Sequence, residues 1–157
     1  MQQSKLSATL GIGPMSSEII EAVFRFSHYY RKQLMLIASK NQIDYSGGYV
    51  NNWNTAQYMD YVRKMKKMYP NSDVKICRDH CGPGFNGNYD LKDTYKTIED
   101  DIQNGFDLIH IDFCHFRGIR DERLSESAKA IDFCLKLNPH ILLEIGTDEN
   151  SGANYNL

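Results

Sequence analysis

The chain has 157 residues, 41% of them hydrophobic, and a formal net charge of −2. That is the size and apolar content of one domain with a real core, and so balanced a charge supplies no basic field for DNA or RNA. No signal-peptide pattern opens the sequence and no run approaches the roughly 18 apolar residues that cross a bilayer, so the expected setting is cytoplasmic, without a membrane partner.

Short β-type runs alternate with longer helical ones along the chain, the pattern of βα units around a parallel sheet. The first strand is expected over Thr9 to Ile12. A helix follows from Ser17 as N-cap, with Glu18 and Glu21 near its positive end and Ile20, Val23, Phe24 and Tyr30 as its apolar stripe. The second strand, Leu34 to Ala38, leads into a loop containing Asn41-Gln42 and Gly47-Gly48. The second helix begins at Asn54 or Thr55, aligns Tyr58, Tyr61, Val62, Met65 and Met68, and stops at Pro70.

The third strand spans Val74 to Asp79, and the third helix opens on Asp90 and closes at Asn104-Gly105, with Leu91, Tyr95, Ile98 and Ile102 on one side. The fourth strand, Leu108 to Asp112, precedes a helix over about Ser125 to Leu137 that buries Ala128, Ile131 and Leu135 and ends before Pro139. The fifth strand, Ile141 to Ile145, is followed by the polar stretch Thr147 to Leu157, which has no helical period. Residues 1–157 therefore read as one α/β domain of five strands and four helices. The expected architecture is a partial (β/α)8 TIM barrel, its N-terminal portion and truncated, because a closed barrel takes eight strands and at least about 200 residues. An open doubly wound parallel sheet is the alternative.

In parallel α/β folds functional side chains gather at the C-terminal ends of strands. The third strand ends in Cys77-Arg78-Asp79-His80-Cys81-Gly82-Pro83, the fourth in His110-Ile111-Asp112-Phe113-Cys114-His115, and the fifth in Glu144-Ile145-Gly146-Thr147-Asp148-Glu149. Period-two alternation sends Ile109 and Ile111 toward the helices and His110 and Asp112 into the barrel, and sets Glu144 opposite Ile141, Leu143 and Ile145. Carboxylates inside a barrel need a cation, a proton or each other.

Asp79-His80 joins a metal-binding imidazole to a carboxylate able to move a proton; the plainer reading is a loop cap and a backbone acceptor. His115 and Cys114 could join His80 and Cys81 in a mixed metal site, or simply be a loop histidine and buried thiols. His110 reads as part of a buried polar network. The four cysteines, Cys77, Cys81, Cys114 and Cys134, have no CxxC spacing and are expected to be free. Gly47-Gly48, after Asn41-Gln42, allows backbone N–H groups to approach a phosphate, or forms a plain turn. Gly11-x-Gly13 lacks the rest of a dinucleotide fingerprint, and there is no P-loop.

The run Ser39-Lys40-Asn41-Gln42 through Gly47-Gly48-Tyr49, with Asp79-His80-Cys81-Gly82-Pro83, Ile109-His110-Ile111-Asp112 and Ile145-Gly146-Thr147-Asp148, resembles the non-catalytic subunit of class II tagatose-bisphosphate aldolase. Four strand ends match in order, along nearly the whole chain. The resemblance implies a (β/α)8 barrel and an accessory role, supporting the activity and stability of a homologous catalytic subunit in galactitol or amino-sugar metabolism. Asp79-His80 is similar to the Asp-His pair of the catalytic class II aldolases, which makes Asp79 the acid/base and His80 a zinc ligand. Glu144 occupies the place of an acidic residue in those enzymes, and Asn41, Gln42, Gly47, Gly48 and Asp112 are the implied contacts for a sugar phosphate. Two places depart from the family: Ile37 stands where its second strand carries an acidic residue, and the loop after Gly82-Pro83 differs at Gly84-Phe85. The other zinc histidines of the catalytic enzymes come from later strands. Beside the accessory reading stands an independent metal-dependent class II aldolase (carbon–carbon lyase) or epimerase that self-associates to complete its barrel.

Overall fold

A computed structural model describes residues 10–146. Thr9 and the stretch from Thr147 to Leu157 lie outside the described residues. The elements run β1 (Leu10–Ile12), α1 (Ser17–Tyr30), β2 (Gln33–Ser39), α2 (Thr55–Met68), β3 (Asp73–Cys81), α3 (Leu91–Asn104), β4 (Leu108–Ile111), α4 (Arg120–Leu137) and β5 (Leu142–Ile145). All strand pairs are parallel and their spatial order is their chain order. Each helix packs on the next, α1 on α2, α2 on α3 and α3 on α4. Consecutive strands beneath one unbroken helix layer are five strands' worth of a barrel; a doubly wound sheet would reverse its strand order and carry helices on both faces.

Local chemistry sets the helix ends. The N-cap of α1 is Ser16, one residue before the expected Ser17, and its Oγ accepts from Ile19 N–H at 3.3 Å. Asn54 and Gln57 form a reciprocal capping box on α2, at 2.9 and 3.0 Å. Asp90 caps α3, which closes on Gly105 with φ +94°. The start of α4 is Arg120 rather than Ser125, because its first turns are held by Glu122 accepting from the Ile119 N–H (3.1 Å) and bury no apolar residue.

The apolar stripes of all four helices are shorter or shifted relative to expectation. Tyr30 and Met68 are exposed. In place of Tyr30, Ser27 is the buried residue of the last turns of α1: its Oγ donates to Lys32 O (2.7 Å) and accepts from Asp73 N–H (2.8 Å), so a small hydroxyl suits this polar end of the sheet. On α4 the buried residues are Ala130 and Cys134, with Ile131 partly covered and Ala128 and Leu135 turned to solvent. The largest departure is α3. Its buried face is Asp93, Thr94, Thr97, Ile98 and Asp101, while Leu91, Tyr95 and Ile102 are only partly buried.

That polar face meets a polar sheet. Arg78, on the helix-facing side of β3, is fully buried. It holds Asp101 with Nε at 2.6 Å and Nη2 at 2.8 Å, and donates Nη1 to the carbonyls of Ala38 (3.0 Å) and Ile43 (2.6 Å). Above it, Lys40 Nζ donates to Asp93 Oδ2 and Thr97 Oγ1, both at 2.7 Å, with Asp44 Oδ2 at 3.9 Å. Thr97 in turn donates to Asp44 Oδ1 (2.8 Å), and Tyr45 OH donates to Asp93 Oδ1 (2.8 Å).

On the other face the side chains stack in ranks. One joins Ile37, Cys77, Leu108 and Leu142, and the next brings His110 beside Glu144. The flanks of the sheet are apolar and open. Leu10 is 64% exposed and lines a groove of about 310 Å³ with Ile19, Ala22 and Phe26; at the far edge Leu142 is 56% exposed and Ile145 is 50% exposed.

Removing one partner of a buried ion pair leaves an uncompensated charge, at about 3–5 kcal/mol. Asp101→Ala is expected to lower stability by that amount in urea denaturation, whereas Asp60→Ala, at the exposed pair with Arg63, changes it by less than about 1 kcal/mol. A pH profile separates the Lys40 cluster. Burial pushes Asp93 up, but the hydrogen bonds from Lys40 and Tyr45 outweigh it and hold the carboxyl below its ordinary 3.8. Its stabilising contribution is therefore complete above that unfolded value and lost as pH falls through the lower folded one. Stability of the wild type is expected to fall more steeply below about pH 4 than that of Lys40→Met.

Candidate active site at the strand ends

Consecutive strand residues normally point to opposite faces, yet Asp79 and His80 reach the same place. The cause is a bulge. Arg78 pairs with Ile109 and Cys81 with Ile111, so three steps on β3 oppose two on β4. His80 takes up the extra residue with φ +45°, a left-handed conformation that histidine tolerates better than bulky or branched residues. The same extra step returns Cys81 to the helix-facing side, where it is fully buried.

Asp79, His80 and His110 each offer one donor atom, and these atoms lie within 4.8 Å of one another. His80 Nε2 is 3.7 Å from Asp79 Oδ1, and His110 Nδ1 is 3.6 Å from the same oxygen. On its other side, His80 Nδ1 is 2.7 Å from Asp112 Oδ2. Asp112 is anchored in turn, accepting the Cys114 N–H on Oδ1 at 3.0 Å. The His80 backbone N–H points at His110 Nδ1 (3.3 Å). His80 is about half exposed, with a side-chain exposure of 46%, while Asp112 and His110 are buried. Phe85 covers His80, rings 4.7 Å apart and 20° from parallel, and touches the ring of His115 at 4.7 Å.

The electrostatics follow from these contacts. The contact with His110 holds Asp79 below its ordinary range against the effect of burial. His110 is raised reciprocally by Asp79, with Glu144 and Asp112 adding to it against burial. Burial pushes Asp112 up, but the Cys114 N–H and His80 together bring it down. Asp79 and Asp112 are thus carboxylates at neutral pH, turned toward two imidazoles.

Two imidazoles and a carboxylate are a donor set that zinc accepts, and donors about 3.4 Å apart suit its tetrahedral bonds of 2.0–2.2 Å. Asp112 on Nδ1 leaves Nε2 of His80 as the ligating nitrogen, a carboxylate–histidine arrangement typical of metal ligands. The residues present fit such an ion. The mixed sulfur site is not formed: among the described residues the metal-capable cluster is Asp79, His80 and His110, and burial pushes the Cys81 thiol far up. No disulfide joins the four cysteines.

Glu144 stands on the same face, exposed, registered beside His110. Asn41 is exposed and donates Nδ2 to Phe85 O (3.2 Å). Gln42 is buried, accepting the Ser39 N–H (2.8 Å) and donating Nε2 to Met15 Sδ (2.9 Å). The Gly47 N–H donates to Asp44 O and the Gly48 N–H to Trp53 O, both at 3.0 Å, and a side chain at Gly48 would collide with the Gln42 backbone. Hydrogen bonds inside the loop thus occupy both glycine N–H groups. The sequence missed His110 as a donor and Phe85 as its neighbour's cover; alternation placed His110 on the right face, but only the bulge brings Asp79 and His80 to it.

The fold and the site define a βα-barrel protein with an acid–histidine centre at its strand ends. A family model described as D-tagatose-1,6-bisphosphate aldolase subunit GatZ/KbaZ-like matches residues 1–131, and the chain belongs to that family. Among solved structures it is similar to a probable tagatose 6 phosphate kinase from Sinorhizobium meliloti 1021, with a TM-score of 0.73 and 18% identity over 90% of this chain and 39% of that one. It is also similar to a putative fructose-1,6-biphosphate aldolase from Coccidioides immitis, with a TM-score of 0.56 and 19% identity over 88% of this chain and 45% of that one. At such identities the likeness is one of fold, and the chain spans less than half the length of either.

A Cβ on Gly146 would lie 2.7 Å from both Asp112 Cγ and His110 Nε2. Gly146→Ala is expected to displace both side chains, moving the imidazole signals of His80 and His110 in NMR spectra and costing about 1–3 kcal/mol of stability.

Proposed function

We propose that this protein is an accessory, non-catalytic subunit of tagatose-bisphosphate aldolase type, which supports the activity and stability of a homologous catalytic subunit in carbohydrate breakdown. The observation that carries the reading is the double employment of Asp79. In a working centre the ligands hold the ion and a separate carboxylate moves the proton. Here the described donor cluster includes Asp79 itself, so a metal held by Asp79, His80 and His110 leaves that acid/base group occupied. Zinc, when bound, supplies a Lewis acid. The chain's own residues hold and orient: Asp112 fixes the His80 ring, and Phe85 stacks against one face of it.

The open apolar flanks at β1 and β5 support association, since edge strands need cover, either from further barrel strands or from a partner chain. Asn41 and the Gly47-Gly48 turn remain the loop assigned to a sugar phosphate, with Asn41 and side chains at the rim, rather than the glycine N–H groups, as its donors. Among the described residues no helix is long and apolar enough to cross a membrane.

A second reading, an independent metal-dependent aldolase or epimerase, is favoured by one observation: the cluster already contains three donors, the number a catalytic zinc uses. In that case Glu144, exposed beside His110, is the remaining carboxylate able to act as acid/base.

Zinc content per chain and aldol cleavage of tagatose bisphosphate, each measured with and without a catalytic aldolase subunit, separate the two. The accessory reading expects about one zinc per chain, lost in His80→Ala, background cleavage alone, and partner stimulation that survives Asp79→Ala. Cleavage by the isolated chain that falls at least about 100-fold in Glu144→Gln establishes the second reading instead.

A further inference from the structure

The loop after β3 hangs from the buried lysine. Asn86 donates Nδ2 to Asp93 Oδ2 at 3.3 Å, the oxygen that also receives Lys40 Nζ at 2.7 Å. Its neighbour Phe85 is tied through its carbonyl to Asn41, the residue after Lys40. The ring of Phe85 then lies flat on His80. Two adjacent residues of this loop are thus held from two sides, Phe85 by Asn41 of the loop after β2 and Asn86 by Asp93 of α3, the partner of Lys40, and the Phe85 ring meets the half-exposed His80.

A buried ion pair is a poor source of net stability, since apolar residues of equal volume do as well or better. What it supplies is location. An ammonium group enclosed by a carboxylate and a hydroxyl at 2.7 Å has one place to sit, whereas an apolar substitute can slide. Burying Lys40 and Asp93 beneath this loop is therefore explained by position rather than by stability.

We infer that Lys40 and Asp93 are positioning residues for His80, acting through Asn86 and the stacked ring of Phe85. The consequence for metal affinity rests on the reading of His80 as a ligand; the geometry of the stack does not. Asp112 fixes one ring nitrogen of His80, and the Lys40–Asp93 pair, through Asn86, fixes the Phe85 ring stacked on its face.

NMR of the 157-residue chain without metal tests the inference. Stacked beneath Phe85, the carbon-bound protons of His80 are shifted upfield by the ring current, and Phe85→Leu defines their position without it. Lys40→Met and Asp93→Asn, shown to be folded by circular dichroism, are expected to move these protons to the Phe85→Leu position. Asn86→Ala leaves the buried pair in place and cuts the link, together with the bond that Asn86 Oδ1 accepts from the Asn88 N–H (3.0 Å). Asn88→Pro, which removes that N–H and keeps the Asn86 side chain, is the control, and if the buried variants do not fold, a movement in Asn86→Ala that Asn88→Pro does not reproduce decides the matter. Unchanged His80 protons in folded Asn86→Ala and Lys40→Met, or a wild type already at the Phe85→Leu position, overturn the inference. Zinc titration is the second readout, with affinity about tenfold weaker in Asn86→Ala than in the wild type expected, and equal affinity counting against positioning. A wild type that takes up no zinc sinks the ligand reading and leaves the ring shift to decide the positioning.

Discussion

Arg78 is the side chain on which most of the upper half of this structure depends. Its guanidinium is fully buried and makes four hydrogen bonds, two to Asp101 on α3 and one each to the carbonyls of Ala38 and Ile43. It therefore ties three things together: the end of β2, the turn after it, and the helix that covers β3. A planar fork with fixed donor directions does this where a lysine could not. The Phe106 ring lies 5.3 Å from the guanidinium carbon and closes the site on its apolar side. Burial works against the charge of Arg78, and Asp101 more than restores it.

The candidate site begins one residue later. Because Arg78 is fixed in the helix layer, Asp79 is fixed on the opposite face, and the bulge that follows has only His80 through which to act. A slip of β3 by one residue would put Arg78 on the open face and an aspartate in the core. The buried ion pair thus defines the register that the site needs, a use of buried charge better founded than added stability. Gly82 completes the turn, since a side chain there would collide with the Asp112 carbonyl. Loops β3–α3 and β4–α4 are consequently in backbone contact just where Asp112 meets His80.

Much of this was legible in the sequence. The five strands, the order of the helices, the Asn54 and Asp90 caps and the inward aim of His110 and Asp112 all follow from period, capping chemistry and alternation. The face of α3 did not. Hydrophobic spacing picked out Leu91, Tyr95, Ile98 and Ile102, yet the helix turns Asp93, Thr97 and Asp101 inward, because β3 and the loop after β2 present Arg78 and Lys40 to it. Periodicity detects apolar burial and is blind to a polar face whose partner lies distant in sequence. The early start of α4 escaped for a related reason: Arg120, Asp121 and Glu122 face solvent, and a helix end without buried apolar residues carries no period. Nor does any local pattern mark a bulge at His80, whose conformation is fixed by pairing with β4.

Charge balance sets what the site will accept. Asp79 and Asp112 are held ionised and Glu144 stands nearby on the same face, so carboxyl groups gather around the two imidazoles. Such a centre attracts a cation and repels a phosphate unless a cation is there first. The loop glycines do little to offset this, because their N–H groups are engaged within the turn. On the proposed reading, a phosphate-bearing sugar would approach as the second arrival, after an ion has compensated the carboxylates. The order follows from the proposed reading, and it places the weight of recognition on the rigidity of His80, whose two supports are the Asp112 carboxylate and the Phe85 ring.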